Sequence, residues 1–338
     1  MNLRNIINYH HHLWVVSAIF LIACGGDKKK EVAKDDSKEE KIVSVPHFNA
    51  DSAYHFIKTQ VEFGPRVPNT PAHKQAGEYF IQQFKAFGAD VQVQEFKART
   101  FDNVTLSLKN IIASFNPEKN KRILLAAHWD SRPFADKDPD APNKPIEGAN
   151  DGGSGVGVLL EIARILGSTQ PPDVGVDIIL FDGEDWGEVE NGDNPQLPKG
   201  LDSWWCLGSQ YWSKNKHDKG YSAYYGILLD MVGAKNAKFA MEGTSLYYAR
   251  SVVDKIWDMA ERIGYSHYFI RKQPGGITDD HTFVNKYAKI PMVDIVHYSA
   301  EHGFFGAFHH THKDNMSIIS KETLEAVGQT VLAVVYYE

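Results

Sequence analysis

Apolar residues recur at helical spacing in DSAYHFIKTQVEF (51–63) and PAHKQAGEYFIQQFKAFG (71–88), which predicts two amphipathic helices early in the folded chain. Asp51 or Ser52 is the expected N-cap of the first. GPRVPNTP breaks the chain between them; Thr70 or Asn69 caps the second, Pro71 sits in its first turn and Gly88 lies past its end. VQVQEF (91–96) then alternates strictly, with VTLSLKNIIASF (104–115) as its hairpin partner or neighbouring strand. Further along, the pattern changes. RILLAAH (122–128), VDIILFD (176–182), YGILLDMVG (225–233) and KIPMVDIVH (289–297) are nearly continuous apolar runs, as expected of strands buried on both faces. Helical patterns alternate with them at 153–166, 245–264 and 321–337. Buried strands interleaved with helices predict a single-domain three-layer α/β/α sandwich with a mixed, mostly parallel central sheet. The folded part begins near Phe48 and shows no repeat or second boundary, so 48–338 reads as one domain.

Residues 1–47 follow another pattern. MNLRNIINYHHHLWVVSAIFLIAC has a charged start at Arg4 and an apolar run from Leu13 to Ala23, too short to span a bilayer. This predicts a signal peptide over 1–23. LIAC has the form of a bacterial lipobox, which would make Cys24 the lipidated first residue of the mature chain. The segment that follows is charged and almost free of apolar residues, so 24–47 is expected to be a disordered tether. The expected location is the bacterial cell envelope, in the periplasm, with a lipid anchor in a membrane and by expectation the outer one. His10, His11 and His12 would leave with the signal peptide. Cys206 then has no intramolecular partner, which excludes a disulfide framework, and its neighbourhood SWWCLGSQYW consists of packing residues rather than those of a catalytic thiol.

Composition narrows function more than fold. A formal net charge of -7 with scattered Lys and Arg leaves no electrostatic footprint for nucleic acid. Polar chemistry instead collects where the buried strands end, the place where open α/β sheets bind ligands. RILLAAH runs into His128 and Asp130, VDIILFD into Asp182, Glu184 and Asp185, and YGILLD ends in Asp230. EGANDGGSG sets Asp151 in a glycine-rich turn before a helix, and GITDDHTF does the same for Asp279 and Asp280. FGAFHHTHKDN (305–315) adds three histidines. In extended chain His310 and His312 share a face, and on a helix His309 and His312 do, so spacing does not choose a ligand. Imidazole and carboxylates without cysteine suit Zn²⁺ in a catalytic site. Of the adjacent Glu184 and Asp185, one can coordinate while the other serves as acid or base.

FGPRVPNTP, LLAAHWDSR, GANDGGSGVGVLLEIARIL, IILFDGEDW, LLDMVGAKNAKF, TDDHTFV and HHTHKDN resemble, in that order, the motifs of glutaminyl cyclases. These are zinc-dependent glutaminyl-peptide cyclotransferases related to the di-zinc aminopeptidases, and the resemblance runs from about Ala53 to the C-terminus. It implies a zinc aminopeptidase-like fold and one Zn²⁺ per chain held by Asp151, Asp185 and His310. It implies Glu184 as general acid/base and Asp230 and Asp279 as supporting acids. His128 matches a second-metal ligand of the aminopeptidases, with Asp130 orienting it or a nearby turn. Asp185 stands where the animal cyclases have a glutamate, and His309 where they have a tryptophan. His309 is therefore expected at the substrate pocket, with apolar walls from Trp186, Trp204 or Trp205. The implied reaction converts an N-terminal glutamine of peptides or proteins to pyroglutamate with release of ammonia. The alternative is an aminopeptidase holding two Zn²⁺, the second on His128 and Asp230. A lipoprotein that merely binds peptides would lack one of these acids or histidines, and none is missing.

Overall fold

A computed structural model describes residues 43–189 and 195–338. The signal peptide expected over 1–23, the lipidation at Cys24 and the tether up to residue 42 lie outside the described residues. Val43 and Val45 already pack against the core, and Gln329 holds the backbone on either side of His47, accepting from Phe48 N–H at 2.9 Å and donating to the Pro46 carbonyl at 3.1 Å. The docked chain thus starts ahead of the Phe48 expected from the pattern.

Helix α1 (Ala50–Glu62) is capped by Asn49, whose side chain accepts from Ser52 N–H at 3.0 Å, and not by Asp51 or Ser52. Asp51 sits instead in the first turn, where an acid suits the positive end of the helix. Thr70 caps α2 (Pro71–Ala86), as the pattern predicts. The hairpin follows as β1 (Asp90–Arg99) and β2 (Thr105–Phe115), antiparallel, with Val93 opposite Ile111. Then come β3 (Arg122–His128), α3 (Gly153–Ser168), β4 (Gly175–Phe181), α4 (Leu207–Lys214), β5 (Tyr225–Asp230), β6 (Lys238–Ala240), α5 (Gly243–Arg262), β7 (Phe269–Ile270), α6 (Asp280–Phe283), β8 (Met292–Ser299), β9 (Gly303–Phe304) and α7 (Lys321–Tyr336).

The sheet has the order β1-β2-β4-β3-β5-β8-β6-β7, with β9 on β8. Its centre, β4-β3-β5-β8, is parallel, so the carboxyl ends of these strands open on one edge. Both flanks are antiparallel, β2 on β4 and β6 on β8. Alternate residues of each central strand enter different cores. Ile123, Leu125 and Ala127 face the large core under α1, α3, α5 and α7, while Leu124 and Ala126 face a smaller one with Trp212 of α4. Helices thus cover both faces, and the three layers are present. Close approach of α3 to the sheet depends on glycine: a Cβ at Gly155 would lie 2.2 Å from the Leu229 carbonyl of β5.

Candidate metal and catalytic centre

The strand ends deliver their side chains to one place because buried polar groups hold the loops. Asp130, two residues past β3, accepts from the backbone N–H groups of both Glu184 (3.0 Å) and Asp185 (3.2 Å). A third acid thus shapes the turn that presents the acid pair, and it also lies 3.6 Å from His128 Nδ1. Asp314 does the same for the next loop, accepting from Asn150 N–H at 2.7 Å and Asp151 N–H at 2.9 Å. The fully buried Arg66 donates to the carbonyls of Trp129 (3.0 Å), Glu147 (2.8 Å) and Gly148 (2.6 Å). Gly152 has φ +69°, and a Cβ there would meet the Asp130 carbonyl at 2.7 Å, so the turn behind Asp151 requires glycine. His310 itself adopts φ +57°, an uncommon conformation for a side chain of this size.

Asp151 lies between two histidines. His128 Nε2 is 3.1 Å from Asp151 Oδ1 and 3.3 Å from Asp230 Oδ1, while His310 Nε2 is 3.9 Å from Asp151 Oδ2 and 3.2 Å from Asp185 Oδ1. All five side chains are buried. Burial would lower the His128 imidazole, but the neighbouring carboxylates of Asp130, Asp151 and Asp230 raise it well above its ordinary value. Burial would raise Asp151, and the hydrogen bond from His128 instead holds it below the usual carboxylate range. Burial and the neighbouring Asp151 charge push Asp185 up to about 6. Burial, joined by Asp279, pushes Asp230 up to about 7 despite its contact with His128. Glu184 is raised well above its ordinary value, first by burial and then by the charges of Asp279 and Asp185 against the relief from His128. Its Oε1 accepts from the Cys206 thiol at 3.0 Å, and burial keeps that thiol protonated.

A divalent cation fits this arrangement. Asp151 Oδ2 and both Asp185 carboxylate oxygens are buried with no hydrogen-bond partner, beside an imidazole nitrogen. Buried carboxylate oxygens without hydrogen bonds carry a desolvation cost, which a cation between them would offset. One imidazole and two carboxylates form a donor set for Zn²⁺. Asp151, His309 and His310 bring ligand atoms within 4.8 Å of one another, with His309 Nε2 3.9 Å from Asp151 Oδ2, and His128, Asp151 and Asp230 do the same.

A cavity of about 700 Å³ opens onto the centre, lined by Glu184, Asp230, Asp279, Trp205, Phe305 and His309 among others. Of the three tryptophans expected as walls, Trp205 is the one that lines it. Trp186 turns into the cluster with Val67, Leu106 and Leu108 and donates to Asp102 at 3.2 Å, while Trp204 donates to the Pro195 carbonyl at 3.3 Å. Their indole N–H groups need partners, and those partners lie away from the cavity. The Trp205 ring is parallel to that of His310, 5.6 Å away. His309 stacks on Phe305 and meets Lys137 Nζ at 3.0 Å through Nδ1. His312 turns away to Asp138, 3.1 Å from its carboxylate. Asp279 caps α6 and carries one buried, unpaired oxygen. The sequence pattern alone gives no role to Arg66, Arg132, Asp136 or Asp314. Arg66, Arg132 and Asp314 lie inside motifs already singled out, whereas nothing local marks Asp136.

Histidine and carboxylate side chains converging at the strand ends of such a sandwich define an aminopeptidase-like α/β enzyme. The chain belongs to peptidase family M28, whose profile matches residues 110–335. Glutaminyl cyclase of Bacteroides thetaiotaomicron bound to N-acetylhistamine is similar at 49% identity and TM-score 0.83, over 87% of this chain and 100% of that one. A Zn-dependent exopeptidase from Parabacteroides distasonis is similar at 51% identity and TM-score 0.83, over 87% and 99%. Aminopeptidase YwaD of Bacillus subtilis is 28% identical over 284 residues, which are 80% of this chain and 51% of that protein.

Proposed function

We propose that the protein is a zinc-dependent glutaminyl-peptide cyclotransferase acting on peptides and proteins with N-terminal glutamine. The observation that carries this reading is the grouping of Glu184, Asp230 and Asp279 around the cavity beside Asp151, Asp185 and His310. The similarity to a glutaminyl cyclase over most of the chain supports it. Asp151, Asp185 and His310 hold the ion, which when bound supplies a Lewis acid for the γ-carbonyl of the glutamine. Glu184, whose raised affinity for protons suits a general base, takes a proton from the α-amine as that nitrogen attacks the carbon of the side-chain carboxamide. It returns the proton to the amide nitrogen, which leaves as ammonia while the carbonyl re-forms in the ring. Asp230 and Asp279 hold the amine facing the carbonyl. Amine and carbonyl belong to one residue, so fixing the ring-closing conformer removes much of the barrier. Trp205 and Phe305 shield the cavity from water.

Mass spectrometry of Gln-initiated peptides tests the assignment: one ammonia is lost per chain with enzyme, none with chelator, and activity returns with added zinc. Glu184→Gln is expected to reduce turnover by at least ~100-fold while zinc stays bound. Activity near wild type would sink the assignment.

A second reading, a di-zinc aminopeptidase, is favoured by one observation: His128 Nε2 lies within 3.3 Å of both Asp151 and Asp230, which makes a second donor group. Metal stoichiometry, with products from Gln-Phe and Leu-Phe, separates the two. The proposal includes placement in the cell envelope through a lipid on Cys24.

A further inference from the structure

We infer that Arg132 and Asp136 form a positioning unit that presents His310 Nε2 to the metal and ties it to the loop carrying Asp185. The inference rests on reading Asp151, Asp185 and His310 as the ligands.

Asp136 Oδ1 lies 3.4 Å from His310 Nδ1, on the side of the ring away from Asp185. A carboxylate there accepts the Nδ1 proton and leaves the Nε2 lone pair free for a cation, the arrangement in which an outer carboxylate fixes tautomer and ring orientation. The carboxylate is itself held. Arg132 donates to it through Nε at 2.7 Å and Nη2 at 2.8 Å, a two-pronged contact that fixes its plane as well as its position. The Arg132 side chain is fully buried, so this fork is not shared with solvent.

Arg132 reaches two further parts of the centre. Its Nη1 donates to the backbone carbonyl of Asp185 at 3.0 Å. Its guanidinium lies 4.5 Å from the Trp205 ring, which is parallel to His310. Gly187 lets that ring in, since a Cβ at this position would lie 1.9 Å from the indole. One cation therefore contacts the acid behind the histidine, the backbone of the acid beside it and the ring stacked on it. His310, in its left-handed backbone conformation, needs such outside support. A lysine supplies a point charge without the fork and cannot serve all three.

Zinc affinity measured by chelator competition tests this, with thermal unfolding of the zinc-free proteins as a check on folding. Asp136→Ala is expected to weaken zinc binding ~10–100-fold. Asp136→Asn keeps an acceptor for Nδ1–H and loses less, and Arg132→Lys loses about tenfold because the fork is gone. At saturating zinc, turnover of both Asp136 variants returns to within a few-fold of wild type, a rescue that a merely structural lesion would not show. Wild-type affinity in folded Asp136→Ala, or turnover still lost at saturating zinc, overturns the positioning role alone. A wild-type chain that takes up no zinc overturns the ligand reading and this inference with it. Should Arg132→Lys not fold, the two Asp136 variants decide.

Discussion

At the scale of single residues, the histidine-rich stretch shows how little spacing says about role. His309, His310 and His312 sit within four positions, yet one faces Asp185, one lines the cavity against Phe305, and one pairs with Asp138 outside it. His310 is the imidazole that faces Asp185, so His310→Ala is expected to reduce bound zinc to background by elemental analysis. His312→Ala should bind a full complement, and equal loss in both would refute the distinction. Glu184 was visible as an acid at a strand end. The thiol that contacts it was not, since Cys206 meets it only through the fold of an intervening loop.

At the scale of elements, stability depends on a few close approaches and caps. Gly155 lets α3 lie against β5, and its replacement by alanine forces a methyl group onto the Leu229 carbonyl. Gly155→Ala is expected to destabilise by ~1–3 kcal/mol, read from the denaturation midpoint, because neither backbone can yield without moving the core. Glu242 caps α5, accepting from Thr244 and Ser245 N–H, and also receives Ile277 N–H from the loop that leads to Asp279. Burial alone would raise its carboxyl. His281 and these backbone donors outweigh burial and lower it from 4.5 to about 2. A lowered carboxylate stabilises above its unfolded value and loses that contribution as pH falls through the folded one. Glu242→Gln should therefore cost ~0.5–2 kcal/mol near neutral pH, and the gap from wild type should close between pH 4.5 and about 2. A gap independent of pH would show that the cap acts without its charge. The long elements were legible because each carries a full period of pattern. The eight-residue α4 and the two- or three-residue β6, β7 and β9 were not, being too short to display one.

At the scale of the whole molecule, the folded part carries the chemistry and the proposed anchor carries the address. No helix among the described residues is long and apolar enough to cross a membrane, and the proposed lipid site lies before Val43. Cys24→Ser is expected to abolish labelling by a radioactive fatty acid and move the enzyme to the soluble fraction with peptide cyclisation unchanged. Retention in the membrane fraction would count against the lipid. By itself the sequence determined the α/β alternation, the buried central strands and the acids and histidines at their ends, since periodicity and strand ends are local properties. Tertiary structure decided which histidine faces Asp185, which tryptophan lines the cavity and which buried groups hold the loops. Arg66, Asp130, Arg132, Asp136 and Asp314 act on loops from other parts of the fold, and a buried hydrogen bond is specified by where its partner lies in space.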